Sequence, residues 1–310
     1  SEHSKSTFLN SHYQNSSNKD DIIKLTKPIE VLFEGGNLDV YKTIKKFKNK
    51  ELYNQLNSIP EDFAYLNVGH WMQGNFGHDR KNIALTIKSF YETFKNKENP
   101  PALILKCCRV NSSVGDKENI QRKISDIRDS IEGKNIPSVY LLHGEFTDKE
   151  MNEIYNHPKI KSMVSFTKGE GFGRPLLEFS LVNKPIICSG WSGQIDFLKN
   201  DFTLLLQGGL TNVHQSAQQK DMIMAESQWF QPSPQEIYRG YKEVFNNYKN
   251  WLIKAKRQGY HSRTYFAFEN MKAKINTILE DNVNIPEQVK LSLPKLKKLN
   301  TPKLPKLNKV

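Results

Sequence analysis

The chain has 310 residues, 37% of them hydrophobic and 25% charged, with a formal net charge of +12. That length allows one large domain or two small ones around a buried core, and no run approaches the roughly 18–20 apolar residues that a membrane helix needs. The positive excess speaks to partners, such as anionic lipid or nucleic acid, and not to catalytic class.

The opening segment, SEHSKSTFLNSHYQNSSNKDD, lacks the apolar core of a secretory signal. Cys107, Cys108 and Cys188 form neither an even disulfide framework nor a metal-ligand spacing, so they are expected as buried strand residues. A reducing, cytoplasmic setting follows as the expectation, with a peripheral place at the inner membrane surface as its variant.

From about residue 60 onward, short apolar runs alternate with helical patterns. Residues 63–68, 102–107, 138–142, 163–166, 186–188 and 203–206 read as strands. Between them Ile83, Ile87, Phe90 and Phe94 keep helical spacing across 82–94, and Ile120, Ile124, Ile127 and Ile131 form one stripe across 117–131. Thr147-Asp148-Lys149-Glu150 opens a third helix with a capping-box pattern. Such alternation predicts an α/β fold, a Rossmann-like parallel sheet with helices on both faces. Ligands of such sheets sit at the carboxyl ends of the strands.

One strand end carries the most informative stretch, SFTKGEGFGRPLLEFSLVNKPIICSGWSGQID, residues 165–196. A Gly-rich turn (Gly169, Gly171, Gly173) leads into a helix expected from about 175 to 182, with Pro175 in its first turn. Closely spaced glycines let backbone approach a ligand, and the helix start offers free N–H groups and a partial positive charge. Glu170 and Glu178 are spaced E-x7-E. Helical periodicity puts Glu178 one turn into the helix, its carboxylate directed back toward the same mouth. An N–H cradle with a carboxylate on each side suits a ligand bearing phosphates and hydroxyls, such as a nucleotide sugar. The same two acids also suit the carboxylate pair of a glycoside hydrolase; the glycine cradle favours the phosphate-bearing ligand.

After Pro234 the pattern is helical through about residue 249 and again from about 262 to 279, with Tyr238, Tyr241, Phe245 and Tyr248 spaced for a core face or a docking surface. The tail after Glu287 has seven lysines and no acid, with Pro-Lys-Leu recurring. Proline at that density blocks a regular helix, so a solvated, mobile tail is expected. A tether to anionic lipid or nucleic acid is the sharper alternative.

The contiguous run Gly169-Glu170-Gly171-Phe172-Gly173-Arg174-Pro175-Leu176-Leu177-Glu178, then residues 185–188, then Ser192-Gly193, resembles the donor-binding signature of GT-B glycosyltransferases. The likeness is to the retaining family-four type, the glycosyl transferases group 1. It covers roughly residues 1–280 and implies three divisions. Residues 1–60 correspond to a remnant of the acceptor lobe and the interlobe crossover, SEHSKSTFLNS leaving that lobe and PIEVLFEGGN crossing. Residues 61–280 correspond to the nucleotide-sugar-binding domain, and residues 281–310 to the basic tail. The N-terminal lobe is thus expected to be incomplete, the remainder lost or carried by a separate polypeptide.

The resemblance also implies roles. Glu178 holds the ribose hydroxyls, Glu170 sits beside the donor sugar, and N–H groups of Gly171, Phe172 and Gly173 lie near sugar and phosphate. Ser192 and Gly193 offer N–H groups to the diphosphate, Asp196 either joins them or caps a helix, and His143 in His143-Gly144-Glu145 faces the nucleobase. The family works without a bound metal, and there is no D-x-D pair here, so cations must meet the leaving-group charge. It places Gly-Arg or Gly-Lys after the first strand and a second Lys opening the next helix. This chain has Val68-Gly69-His70-Trp71, an interruption, then Asp79-Arg80-Lys81-Asn82. Lys81 matches the second cation, an exposed helix-start lysine being the alternative. His70 stands where the first cation is expected, which leaves Arg80, Lys106 or Arg174 to supply it.

The implied activity is metal-independent, cofactor-free transfer of a hexose from a UDP- or GDP-sugar to an acceptor hydroxyl with retention of configuration. The acceptor is a surface glycan or lipid-linked sugar, or, as the alternative that the basic charge favours, a modified base in nucleic acid. A non-catalytic nucleotide-sugar-binding module, or an inactive fragment, is the reading from a different class.

Overall fold

Apart from Ser16 and Asp221, a computed structural model describes residues 1–283. The basic tail therefore lies, beyond Val283, outside the described residues. The chain begins with α1 (Glu2–Asn10), whose cap is Ser1 and which buries no residue. A small antiparallel hairpin, β1 (His12–Gln14) with β2 (Ile22–Lys24), follows. Residues 28–37, expected as a crossing strand, make only one bridge, Gly36 to Ala267. Next comes α2 (Lys50–Asn57), capped by the Asn49 side chain on the Leu52 N–H.

The alternating region is β3 (Ala64–His70), α3 (Ile83–Phe94), β4 (Ala102–Cys108), α4 (Val114–Asp129), β5 (Val139–Leu142), α5 (Asp148–Asn156), β6 (Ile160–Ser165), α6 (Arg174–Ser180), β7 (Ile186–Ser189) and β8 (Leu204–Leu206). The capping box read at Thr147 forms on α5: the Thr147 side chain accepts from the Glu150 N–H and Glu150 reaches back. All six expected strands form, in one parallel sheet of order β5-β4-β3-β6-β7-β8. Successive strand residues point to opposite faces, and the core divides accordingly. Leu66, Ile104, Met163 and Ile186 join one apolar cluster, while their neighbours Tyr65, Leu103, Val164 and Ile187 join the other. Burial on both faces is what makes these strands read as unbroken apolar runs.

Strand order reverses between β3 and β6, so the crevice outside their carboxyl ends is the expected ligand position. The segment from 71 to 82 and the Gly-rich turn from 166 to 173 flank it.

An antiparallel hairpin, β9 (Gly208–Asn212) with β10 (Gln228–Pro232), projects after β8 and was not foreseen. Every residue of β9 is exposed, so it carries no apolar alternation to reveal it. Three helices close the chain: α7 (Pro234–Asn246), α8 (Tyr248–Tyr265) and α9 (Phe268–Asn282). The middle one corrects the expected break between 249 and 262. It buries Trp251, Ala255, Gln258, Gly259 and Ser262, a mostly small or polar set that gives no apolar stripe. Gly259 is needed there, since a Cβ would lie 2.7 Å from the Ser180 carbonyl oxygen. Among the described residues no helix is long and apolar enough to cross a membrane. Cys107, Cys108 and Cys188 are buried free thiols, as expected.

Tyr241 of α7 is fully buried among the rings of Tyr65, Phe90, Phe94 and Phe166. The Tyr65 hydroxyl donates to the Tyr241 carbonyl at 2.7 Å, tying α7 to β3. Tyr65→Phe should lower stability by about 1 kcal/mol, the usual net worth of such a bond. Denaturant melts would show a lower midpoint with an unchanged slope; an unchanged midpoint would mean the bond contributes nothing.

Candidate functional site

The site is built from the loops that follow β3, β6 and β7. In the first, Asp79 is buried and its Oδ2 accepts from the Ile83 N–H at 3.0 Å, which fixes the start of α3. Burial pushes the Asp79 carboxyl up, against the Ile83 N–H and Lys168, which favour its ionised form. Asn82 turns with φ 57°, and its side-chain amide donates to the Phe166 carbonyl at 3.1 Å. Asn tolerates that left-handed geometry better than most residues. This staple presents Arg80 and Lys81 to the Gly-rich turn after β6.

There Lys81 Nζ lies 2.6 Å from Glu170 Oε1, with the two side chains only 18% and 13% exposed. Arg80 Nη1 donates to the Gly169 carbonyl at 2.6 Å and stands 3.5 Å from Glu170 Oε2. Lys81 is thus no free surface lysine, and of the candidates for the first cation only Arg80 reaches this carboxylate. Gly69 lies beneath the Lys81 stem, where a Cβ would be in ordinary contact, 3.8 Å from Lys81 Cδ.

The turns after β6 and β7 interlock. The Glu170 N–H donates to Ser192 Oγ at 2.9 Å, and the Gly193 N–H donates to the Glu170 carbonyl at 3.1 Å. Ser192 sits at φ 72°, its hydroxyl also donating to Gln194 Oε1 at 3.0 Å. A non-glycine residue in that region stores strain that its surroundings must sustain. These contacts correct the expected role of Gly193: its N–H is spent on shaping the Glu170 turn and is not offered to a ligand. The N–H groups of Gly171, Phe172 and Gly173 meet no acceptor among the described residues. The Phe172 side chain is core, packed against Phe197 and Phe266. Gly173, at φ 96°, begins α6.

Glu178 points back toward the start of α6, as expected, but on a different side from Glu170. Its Oε1 accepts from Arg174 Nε at 2.7 Å and its Oε2 from the Tyr155 hydroxyl at 3.3 Å. Burial raises its pKa, against the pull of Arg174. Burial of Leu176, Leu177 and Phe179 sets the rotation of α6, which turns Glu178 toward α5. Arg174 follows it, reaching Asp148 at 3.7 Å, and so does not supply the first cation.

The remaining candidates are placed elsewhere. His143, its side chain 5% exposed, has Nε2 3.2 Å from Asp116 Oδ2 and is packed against the start of α4. His70 is exposed, with Nδ1 3.2 Å from Cys108 Sγ. Lys106 lies over the Phe146 ring, 5.6 Å from its centre. Asp196 Oδ2 accepts from the Glu2 N–H at 2.9 Å, tethering α1 to the site.

A cavity of about 520 Å³ opens beside Glu170, Gly169 and Gly171. Arg80 and Lys168 line it, together with Trp191, Gln228 and Trp229, and His3, Ser4, Thr7 and Phe8 of α1 close one side. Glu178 is not among its lining residues, so the two acids of the E-x7-E pair do not share this cavity. The His3 ring packs edge-on against Trp191 at 4.3 Å. Lys168 is the notable residue that sequence reading missed: it is 2% exposed, and its Nζ donates to Gln231 Oε1 and lies 5.3 Å over the Trp229 ring. Burial brings its pKa down to about 8, against the attraction of Asp79. Its sequence signal was a lysine closing an apolar strand directly before the glycines. Among the described residues no group of three or more His, Cys, Asp or Glu side chains is placed to hold a metal ion.

No protein-family model and no curated protein matches this sequence. Solved structures do. The C-terminal domain of the group 1 glycosyl transferase LpcC from Francisella tularensis aligns over 76% of this chain and 100% of its own length, at 13% identity and a TM-score of 0.51. Sucrose-phosphate synthase from Thermosynechococcus elongatus aligns over 81% of this chain and 52% of its own, at 14% identity and a TM-score of 0.53. Anabaena HepE, solved in complex with UDP and glucose, aligns over 81% of this chain and 56% of its own, at 13% identity and a TM-score of 0.55. This chain thus spans about half the length of the latter two proteins, and at such identities the likeness is one of fold.

Proposed function

Because the chain has the fold of the C-terminal domain of GT-B glycosyltransferases, we propose that it binds a nucleotide sugar and transfers the sugar to an acceptor hydroxyl. One observation carries this reading: Lys81 holds the Glu170 carboxylate at 2.6 Å beside three N–H groups that meet no acceptor among the described residues, at the point where strand order reverses. Breaking the bond between sugar and diphosphate leaves negative charge on the leaving oxygen. Preorganised donors and cations aimed at that charge are the largest source of rate in such reactions. Arg80, Lys81 and the N–H groups of Gly171, Phe172 and Gly173 supply them without a metal ion. Glu170, held by two cations, positions the sugar and orders Lys81.

In this reading the acceptor hydroxyl attacks from the face that the diphosphate leaves, giving its proton to the departing phosphate, so configuration is retained. Residues 1–60 are assigned in this reading to the acceptor lobe and the interlobe crossover, with Tyr41, Leu52, Leu56 and Ile59 packing into the same apolar cluster as the sheet. Surface glycan or glycoconjugate synthesis is the favoured setting. The net charge of +12 keeps modified bases in DNA as the second acceptor class.

Thermal denaturation with a panel of nucleotide sugars tests the reading, UDP-hexoses first, since HepE was solved with UDP and glucose. A ligand at about 100 times its Kd adds roughly 2.7 kcal/mol to the folded state. In a domain of this size that raises the melting point by several degrees. If no UDP or GDP sugar moves it, the reading fails. A shift without turnover on any acceptor would support a binding module in place of an enzyme.

A further inference from the structure

Lys168 carries a charge that the chemistry above leaves unused. It is 2% exposed, yet it borders the cavity that Arg80 and Glu170 also line. No Asp or Glu among the described residues comes within the 4.0 Å of an ion pair with it. Gln231 accepts one of its protons and the Trp229 face covers one side. An ammonium has three donors, and taking one out of water without a full counter-ion is costly. Asp79 supplies part of the missing charge, but its Oδ1 has no hydrogen-bond partner, so the two do not close into a pair. An arriving anion would complete the arrangement.

We propose that Lys168 is a third cation for the donor's diphosphate, acting beside Arg80 and Lys81 and aimed by the β9–β10 hairpin. This rests on the nucleotide-sugar reading. The hairpin positions Lys168 three times over: through Gln231, through Trp229, and through the Phe230 N–H, which donates to the Lys168 carbonyl at 3.0 Å. On the other side the Lys168 N–H donates to the Arg80 carbonyl at 2.8 Å, so the two cations share one backbone register.

A pH signature follows. The groups around Lys168 are Asp79, His78 and Arg80 from the loop before α3, Glu170 from its own turn, His3 from α1, and the uncharged Gln231 and Trp229 of the hairpin. Burial lowers the pKa of His78 and of His3, so neither imidazole loses a charge as pH rises from neutral to 9. Lys168, lowered to about 8, loses its proton within that interval. Diphosphate affinity should therefore fall as pH rises through about 8. Bound diphosphate favours the charged ammonium, so binding above that pH takes up a proton.

Calorimetric titration with UDP and with GDP, at about pH 7 and about pH 9, decides the matter. Lys168→Gln should weaken binding about 10- to 100-fold near neutral pH, the worth of one charge-assisted hydrogen bond, and flatten the pH dependence. Lys168→Arg should bind near wild-type strength at neutral pH and lose the same dependence, because guanidinium stays charged. Ionisation of the base itself enters all three proteins equally. The proposal is overturned if Lys168→Gln binds like wild type, or if Lys168→Arg keeps the wild-type pH slope. Should Lys168→Gln fail to fold, the arginine variant alone decides. If the wild type binds neither nucleotide at either pH, the nucleotide-sugar reading itself is wrong, and this assignment goes with it.

Discussion

Lys81→Ala should slow donor turnover about 10²–10³-fold, the effect of removing one preorganised donor at a developing oxyanion, about 2.7–4 kcal/mol. The fold should weaken measurably but survive, because the two side chains are only 18% and 13% exposed and a largely buried carboxylate loses one of its two cations. Arg80 also remains 3.5 Å from Glu170, so the carboxylate is not left alone. Glu170→Gln separates the remaining roles. It frees Lys81 and Arg80 from their counter-charge, so diphosphate should bind at least as tightly while kcat falls. Release of nucleotide from a UDP- or GDP-hexose, with and without acceptor, measures both. Full turnover by a folded Lys81→Ala protein would remove Lys81 from the chemistry.

The parallel sheet was legible because burial on both faces writes each strand as a continuous apolar run, and the observed strands start or end within three residues of those runs. The Thr147 capping box and the helix stripes at Ile83 and Ile120 were legible for the same reason: local spacing states the local structure. The elements that escaped lack such spacing. Helix α8 buries one tryptophan and otherwise alanine, glycine, serine and glutamine, and β9 buries nothing.

The site divides along the same line. Glu170 was legible in the Gly-rich turn after an apolar strand, and Lys81 through the resemblance, at the start of the helix that follows the interruption. Lys168 stands in that Gly-rich turn too, but its meaning depends on Gln231 and Trp229, which arrive from a hairpin some 60 residues later. Glu178 was placed on the right helix and turned to the wrong side, because the rotation of α6 is set by the core beneath it. Tyr155, which claims the Glu178 carboxylate, comes from α5. The Gly193 N–H looked free until the Glu170 carbonyl was found against it. Spacing locates a residue on its element; packing decides what it touches.

Gly193 also gives the sharpest test of how the site is held. A Cβ at this position would lie 2.1 Å from the Gly171 carbonyl oxygen, 2.5 Å from its carbon and 2.7 Å from Phe172 Cα. All three are backbone atoms, so no side chain can swing aside. Gly193→Ala must drive the two turns apart, breaking the bond from its N–H to the Glu170 carbonyl and drawing Glu170 away from Lys81. Overpacking of this kind costs about 1–3 kcal/mol, and a misplacement of about 1 Å at a reacting centre costs about 10²-fold in rate. Turnover should therefore fall about 10²-fold alongside a lowered melting point. Gly171→Ala is the matched control for the fold: its Cβ would meet nothing within 4 Å, and its φ is not positive, so its melting point should stay at the wild-type value. Two neighbouring glycines of the same turn system thus separate by contact alone. If Gly193→Ala melted and turned over donor like the wild type, the interlock between the turns after β6 and β7 would not be what sets Glu170 in place.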